Sequence, residues 1–337
     1  MVWSLTHAKL HTLLRQRCLL PHRSRILIAV SGGQDSLCLA RLLIDIRPKW
    51  QWALAIVHCN HRWREDSAAN AAHVVQLANT WQVPAQIEIA PVPPLSEAAA
   101  RTWRYETLAK VARAQSYGYV VTGHTASDRA ETILYNLLRG TGLEGIGALS
   151  WQRSLDALIP EVALVRPLLA FSRQETAQFC QQQQLPVWPD SSNDDLAFRR
   201  NRIRQELLPY LREHFNPQLE KALAQTAEVT AADVAYLETQ ATQLYEQGVV
   251  EATTVEGHRE WAMKCDLLRM APLSLQRRVA RQVLQRALPH APNFQQIEKL
   301  VGLIEASNGS RTDTFPGGYV AQVCGLTIQL SLLEATS

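Results

Sequence analysis

Between Val30 and Ser36 the chain reads VSGGQDS, a set of residues suited to gripping a polyanion. Gly32 and Gly33 let the main chain turn sharply and expose N–H groups with no Cβ in the way. Ser31 and Ser36 add hydroxyl donors on either side of Gln34 and Asp35. A helix beginning here would aim its positive end at the turn, which makes the loop a cradle for pyrophosphate. Asp35 is unsuited to touching phosphate but suited to holding Mg2+ beside it, since magnesium commonly takes one or two carboxylates together with phosphates. A second set, His124, Asp128 and Glu131, has the spacing i, i+4, i+7 of one helix face. A histidine with two carboxylates suits a cationic amine near a phosphoryl-transfer centre. The plainer reading is a first helical turn whose acids complement its dipole, worth only a few tenths of a kcal/mol each.

Rival nucleotide signatures fail on context. No glycine in the chain is followed by lysine, so the GxxxxGK[ST] loop is absent. The string Gly140–Thr141–Gly142–Leu143–Glu144–Gly145 fits GxGxxG but follows a helical pattern, not a strand. It reads as a helix C-cap and a flexible loop over the site. Arg101 and Arg104 stand three apart on one face and suit phosphates or carboxylates. His58, Asn60, His61 and Arg64 follow a strand, where adenine-side contacts or loop order are expected. His58, Cys59 and His61 crowd three ligand types into four residues, weak grounds for a metal.

Positive charge is concentrated in two places. Phe198–His214 carries Arg199, Arg200, Arg202, Arg204 and Arg212 against Glu206 and Glu213, and along one helix these can track an RNA backbone. Arg277, Arg278, Arg281 and Arg286 lie in the acid-free stretch 274–288. A solvated basic face is an equal reading of both groups. Asp190, Ser192 and Asn193 suit a capped turn ahead of the first group.

These residues need a frame. Arg25–Ser31, Trp52–His58, Ala85–Ala90 and Tyr119–Thr122 are short apolar runs read as strands. They alternate with helical patterns at 36–47, 66–81, 96–115 and 127–139, the first residue of the third being an N-cap serine. The expectation is an α/β fold, a doubly wound parallel sheet with its ligands at the carboxyl ends of the strands. Residues 218–248 read as one long amphipathic helix, with Leu219, Leu223, Leu237, Leu244 and Tyr245 on its apolar positions and Gly248 as a stop. Beyond it a small α+β unit is expected, with helices at 274–288 and 293–306 and a hairpin around Pro316–Gly317–Gly318. The domain reading is 1–215, a linker helix 216–248, and 249–337.

Composition bounds the remainder. The 337 residues include 34 Lys and Arg against 31 Asp and Glu, a net charge of +3. So mild a balance excludes a polybasic nucleic-acid coat and an acidic disordered tail. Six cysteines, no two closer than 20 residues, contain no CxxC, which argues against a zinc ribbon, a cysteine-held cluster or a redox dithiol. Scattered thiols suit a reducing compartment and a cytoplasmic setting, with no membrane partner, since no apolar run reaches spanning length. The acid-poor start, with Arg15, Arg17, Arg23 and Arg25 before the first acid Asp35, can resemble an organelle transit peptide. Because it runs straight into a strand, it reads instead as an amphipathic helix packing through Trp3, Leu10, Leu13 and Leu14.

The loop at Ser31–Ser36 resembles that of the PP-loop ATP pyrophosphatases. HCNHRWREDS from His58, AAARTWRY from Ala98, GHTASDRAETILYNLLRGTG from Gly123, RPLL from Arg166 and DSSNDDLAFRRNRIRQELLP from Asp190 narrow the likeness to the tRNA(Ile)-lysidine synthetase family. It covers roughly residues 25–215 and, more weakly, 260–330. The resemblance implies an ATP- and Mg2+-dependent ligase joining L-lysine to C2 of the wobble cytidine in the CAU anticodon of tRNA(Ile), through an adenylated intermediate. It implies ATP binding by Ser31, Gly32, Gly33, Gln34, Asp35, Ser36 and His58, with Asp35 on the metal. Asp35, Arg104, His124, Asp128 and Glu131 would form the catalytic set, with His124 assisting adenylation and Asp128 and Glu131 receiving lysine. Arg199, Arg200, Arg202, Arg204, Arg277, Arg278 and Arg281 would meet tRNA, and a homodimer stays open. Where the family usually has a second His, an acid and a Gln, this chain has Thr125, Ser127 and Arg129. Rival readings are a PP-loop tRNA thiolation enzyme, which normally needs cysteine or cluster chemistry, a glutamine-dependent amidotransferase lacking its amidase segment, and a non-catalytic nucleotide- or tRNA-binding protein.

Overall fold

Strands whose central residues are apolar on both faces can be covered on both, and the middle strands of the sheet of residues 1–231 are built this way. In the computed structural model, which describes residues 3–147, 149–156, 159–189, 196, 199–254 and 257–333, β1 (Arg25–Ala29) lies between β2 (Ala53–Asn60) and β4 (Tyr119–Val121), parallel to both. Ile26 and Ile28 of β1 and Leu54 and Ile56 of β2 enter one core. There they meet α1 (Leu5–Gln16), α2 (Gln34–Trp50), α3 (Ser67–Thr80) and α7 (Arg173–Gln182). Leu27, Ala55 and Val57 point the other way, onto Leu108, Ala109 and Ala112 of α4 (Glu97–Ala114). The period-two alternation therefore makes two cores, not a core and a wet face.

The strand order is β3-β2-β1-β4-β6-β5, with β3 at Ala85–Ile89, β5 at Gln152–Asp156 and β6 at Ile159–Val165. All neighbours are parallel except β5, an antiparallel edge strand on β6. This is the doubly wound sheet expected. Chain order reverses between β1 and β4, and the carboxyl ends of those two strands flank the crevice where ligands of such sheets bind.

The elements depart from the expected pattern in a few places. α2 starts two residues early, at Gln34, and continues through Pro48, whose missing N–H falls in the last turn. β5 and β6 were not expected. The arginine-rich stretch is not one regular helix but α8 (Arg199–Arg202), a π-helical turn (Ile203–Leu207) and α9 (Leu208–His214). α5 (Ala126–Leu138) is followed by Gly140 at φ +75°, as a helix C-cap requires, and then by the short α6 (Leu143–Ile146). Asp190, Ser192 and Asn193 lie outside the described residues. The N-terminal helix packs as expected, with Leu10 and Leu14 fully buried, while Trp3 stays partly exposed.

The chain divides into two compact units, Met1–Ala231 and Ala232–Ser337. The division falls inside α10 (Leu219–Gly248), the long helix expected at 218–248. The second unit has an antiparallel sheet of order β7-β8-β10-β9, formed by Val249–Thr253, Arg259–Lys264, Tyr319–Cys324 and Thr327–Leu332. With α11 (Cys265–Arg269), α12 (Leu273–Ala287) and α13 (Phe294–Gly302) it encloses Trp261, Val283, Leu284 and Ile328. β9 and β10 are joined at Gly325 (φ +63°), and the expected hairpin around Pro316–Gly318 forms just before β9, with Phe315 N–H donating to the Tyr319 carbonyl (2.7 Å) and Thr312 N–H to the Ala321 carbonyl (2.9 Å). That earlier turn folds the preceding segment back beside β9, bridging Arg311 to Gln322. No described helix is long and apolar enough to cross a membrane.

α7 is held to the sheet through Phe179, fully buried with its ring edge-on to His7 at 5.4 Å. Phe179→Ala should lower the stability of residues 1–231 by about 3–5 kcal/mol in urea unfolding. A loss below about 1 kcal/mol would mean that α7 is not anchored by this side chain.

Candidate functional site

β1 delivers its chain into the loop Val30–Gly33, and α2 begins with Gly33 as N-cap and no side chain capping its free N–H groups. Those donors remain available to an anion. The loop is shaped by its own serines. Ser31 N–H donates to Ser36 Oγ (3.1 Å), Gly33 N–H to Ser31 Oγ (3.3 Å), and Ser36 Oγ–H to the Gly33 carbonyl (2.8 Å). Gly32 sits at φ +90°, and a Cβ there would lie 2.3 Å from Asn70 Oδ1. Asn70 Nδ2 in turn donates to the Ser31 carbonyl (2.9 Å), and Trp188 N–H to the Gly32 carbonyl (3.0 Å). His58, at the carboxyl end of β2, is buried and donates from Nδ1 to the Val30 carbonyl (2.8 Å), which fixes the loop's entry.

β4 ends beside this loop. Gly123 packs so closely that a Cβ would fall 2.9 Å from the Asp35 carbonyl carbon and oxygen. The next residues open α5 with a capping box, in which Asp128 Oδ2 accepts from Thr125 N–H and Oγ–H, both at 2.8 Å. Asp128 is thus the first-turn acid of the plainer reading, but that role uses one oxygen only. Oδ1 faces Arg173, the first residue of α7, whose Nη2 donates to it at 2.8 Å. The same guanidinium reaches Glu131 Oε1 through Nη1 (2.9 Å) and Asp35 Oδ2 through Nε (3.3 Å). Thr176, one turn on, donates to Asp35 Oδ1 (2.5 Å), and Gln34 Nε2 donates to the Thr176 hydroxyl and the Arg173 carbonyl, both at 2.8 Å. Arg204 closes the far side with a bidentate pair on Glu131 at 2.7 and 2.9 Å.

The electrostatics follow from this packing. Burial, and next the Asp128 carboxylate, push Asp35 above the usual carboxylate range. Burial also opposes ionisation of Asp128, yet Arg173, with the Thr125 hydrogen bonds behind it, holds it below that range. His124, with Nδ1 2.9 Å from Thr122 Oγ1, is driven down to about 3, chiefly by burial, so its ring is neutral at physiological pH. Burial also lowers His58, and takes His61 to about 4. The unfolded chain takes up protons below about pH 6.5 that these folded rings refuse, so their burial costs stability progressively as pH falls from there. The donor set fits a hard cation: Asp35 offers carboxylate oxygens next to a loop built for phosphate oxygens.

The structure brings Asp35, His124, Asp128 and Glu131 together with the loop. Arg104 lies half-buried among His61, Cys59 and His124, and among the described residues it has no ion-pair partner. Arg204, expected on an RNA-facing row, turns into the carboxylates, whereas Arg200 pairs with Glu97 (3.0 Å) and Arg202 with Glu206 (3.4 Å). Arg199 is exposed. In the second unit Arg277 is paired with Glu298, and Arg278 and Arg281 share Glu238. Asn60 orders its loop through Arg62 N–H and the Ser67 carbonyl.

Arg173, Thr176 and Gly123 were not singled out from sequence. A signal for Arg173 exists: Ser172 and Glu175 form an S-x-x-E capping box after Arg166–Leu169, placing an arginine at the start of a helix at a strand's carboxyl end. The three residues that depart from the family pattern have structural partners. Thr125 caps α5, Ser127 Oγ accepts from Arg173 N–H (3.2 Å), and buried Arg129 binds the Leu149 carbonyl and Glu228.

Residues 4–211 match the PP-loop domain family. The chain is 55% identical to the tRNA(Ile)-lysidine synthase of Nostoc sp. and 49% identical to that of Synechocystis sp., covering 96% of this chain in each case and 96% and 97% of theirs. A solved structure, the U34-tRNA thiolase NcsA from Methanococcus maripaludis with its [4Fe-4S] cluster, superposes with a TM-score of 0.57 at 16% identity, over 67% of this chain and 78% of that one, a likeness of fold.

Gly123→Ala must displace the Asp35 backbone. It should weaken binding of inorganic pyrophosphate by at least about tenfold in calorimetry while the circular dichroism stays unchanged. Unchanged affinity would show that the contact at β4 does not shape the loop.

Proposed function

Because the chain belongs to the tRNA(Ile)-lysidine synthase family of PP-loop enzymes, we propose that it ligates L-lysine to C2 of the wobble cytidine in the CAU anticodon of tRNA(Ile). The observation that carries this reading is the meeting of the phosphate loop with Asp35, Asp128 and Glu131 at the β1–β4 crevice. A diphosphate-gripping loop and a pair of carboxylates able to receive an amine are the two halves that such a ligation requires.

ATP binds with its β- and γ-phosphates on the amides and hydroxyls of Ser31–Ser36. Asp35 would hold Mg2+, which would supply charge neutralisation to the departing diphosphate. The C2 oxygen of the cytidine attacks the α-phosphorus, the bond to pyrophosphate breaks, and the base is left adenylated. His124, uncharged and at the strand end, assists as a hydrogen-bonding group, and Arg104 offers a fixed positive charge to the developing anion. The amine of lysine, received by Asp128 and Glu131, then attacks C2. The C2–O bond breaks, AMP leaves, and the amine releases its protons. The base must be splayed from its loop to reach this crevice, as single-stranded RNA allows. Residues 1–215 carry this chemistry, 216–248 form a linker helix, and 249–337 bind the tRNA.

Purified protein given ATP, Mg2+ and tRNA(Ile) should release pyrophosphate, and with radiolabelled lysine it should transfer label to the tRNA. Asp35→Asn should abolish both, and Glu131→Gln should reduce label transfer more than pyrophosphate release. A thiolation enzyme would leave no lysine on the RNA, and a binding protein would release no pyrophosphate. Either result would overturn the proposal.

A further inference from the structure

Near His124 positive charge accumulates, and among the described residues a single carboxylate, Glu97, pairs with it. Arg101 of α4 and Arg153 of β5 lie on the ring of Tyr105 at 5.1 and 5.2 Å. Arg166, directly after β6, is fully buried, donates from Nη1 to the Ser150 carbonyl (2.7 Å), and has no partner for Nε. Arg200 reaches the same group from α8, its guanidinium also lying 5.6 Å from the Tyr135 ring. Arg101 is pushed below its ordinary range, first by burial and also by Arg200, Arg104 and Arg153. Arg166 is pushed down too, again first by burial, with Arg153 and Arg101 adding to it. Among the described residues the carboxylate paired with this group is Glu97, on Arg200, and Asp128 beyond it faces His124. Among the described residues Arg153 hydrogen-bonds to backbone carbonyls, those of Ser154 and Leu155. Like charges gathered at one edge of the crevice repel one another, beyond what Tyr105 and Glu97 offset, and an anion would relieve that repulsion.

The position says which anion. Pairing of Arg153 with Leu164 and of Gln152 with Val165 sets Arg153 level with the carboxyl end of β6, the edge of the sheet that carries the loop and His124. β5 is three strands from β1, about 14 Å across the sheet at the usual interstrand spacing. A diphosphate seated on the β1 loop therefore leaves this group for a phosphate that is not its own. A polymer presenting its base at His124 has such phosphates in its backbone, and guanidinium is the side chain best shaped to hold one.

We propose that Arg101 and Arg153, both on the ring of Tyr105, with Arg200 beside Arg101, form a subsite for a phosphodiester of the tRNA anticodon loop next to the nucleotide presented to His124. The assignment rests on the tRNA-modifying reading of the crevice and adds the place where the RNA backbone is held.

The test uses the full chain and a fluorescently labelled anticodon stem–loop RNA, with anisotropy titrations over a series of salt concentrations. Arg153→Gln should weaken binding about tenfold and reduce the slope of log K against log salt by about 1. Arg153→Lys should restore the slope, and the affinity for ATP in calorimetry should stay unchanged in both. If Arg153→Gln leaves RNA affinity and slope as they were, or lowers ATP affinity instead, the subsite is overturned. Failure of the unaltered protein to bind the RNA or to transfer lysine would instead remove the tRNA-modifying reading. The two failures are thus separable.

Discussion

One guanidinium holds three carboxylates in register. Without a shared cation, Asp35, Asp128 and Glu131 would repel one another in a half-buried crevice, and the least solvated of them would take up a proton. Arg173 reaches all three, and its own ionisation is reinforced by them against the burial that opposes it. The Asp35 carboxylate beside the diphosphate cradle and the two carboxylates on α5 are therefore one electrostatic unit. Arg204 completes it by capping Glu131 from the π-helical turn.

Everything upstream serves that convergence. Alternating apolar residues in β1 and β2 make two cores, which fix α2 and α7 on one face and α4 on the other. α7 packs along α2 through Phe179 and through Cys180, whose thiol donates to the Gln34 carbonyl (3.4 Å). This sets Arg173 and Thr176 over the start of α2. The β4 end comes close enough to Asp35 that only glycine fits at 123. Buried Arg129 and Ser127 then join α5 to Glu228 and Glu220 on the first part of α10.

Contiguous chemistry was legible in the sequence, and assembled chemistry was not. The glycine-rich turn and the set His124, Asp128 and Glu131 each occupy a short stretch, so spacing brought them to notice and the family resemblance gave them roles. Arg173 lies 138 residues from Asp35 in the chain, and only the packing of α7 on α2 reveals the contact. β6 was hidden because its run contains Pro160 and Glu161, and β5 because QRSLD has few apolar residues, as an edge strand permits. The hairpin around Pro316–Gly318 was legible from its turn residues, whereas the turn joining β9 to β10 rests on the lone Gly325 and gave no comparable signal. Arginine-rich helices gave the least: composition cannot tell Arg204, turned into carboxylates, from Arg199, exposed on the surface.

The most direct test of the central claim removes the shared cation and leaves all three acids in place. In Arg173→Met the acids lose their common partner and are left to repel one another in a half-buried crevice. Affinity for Mg·ATP measured by calorimetry should fall by at least about a hundredfold, while Arg173→Lys recovers part of it. Unaltered Mg·ATP affinity in Arg173→Met would show that the three carboxylates hold their places without the guanidinium, contradicting the account.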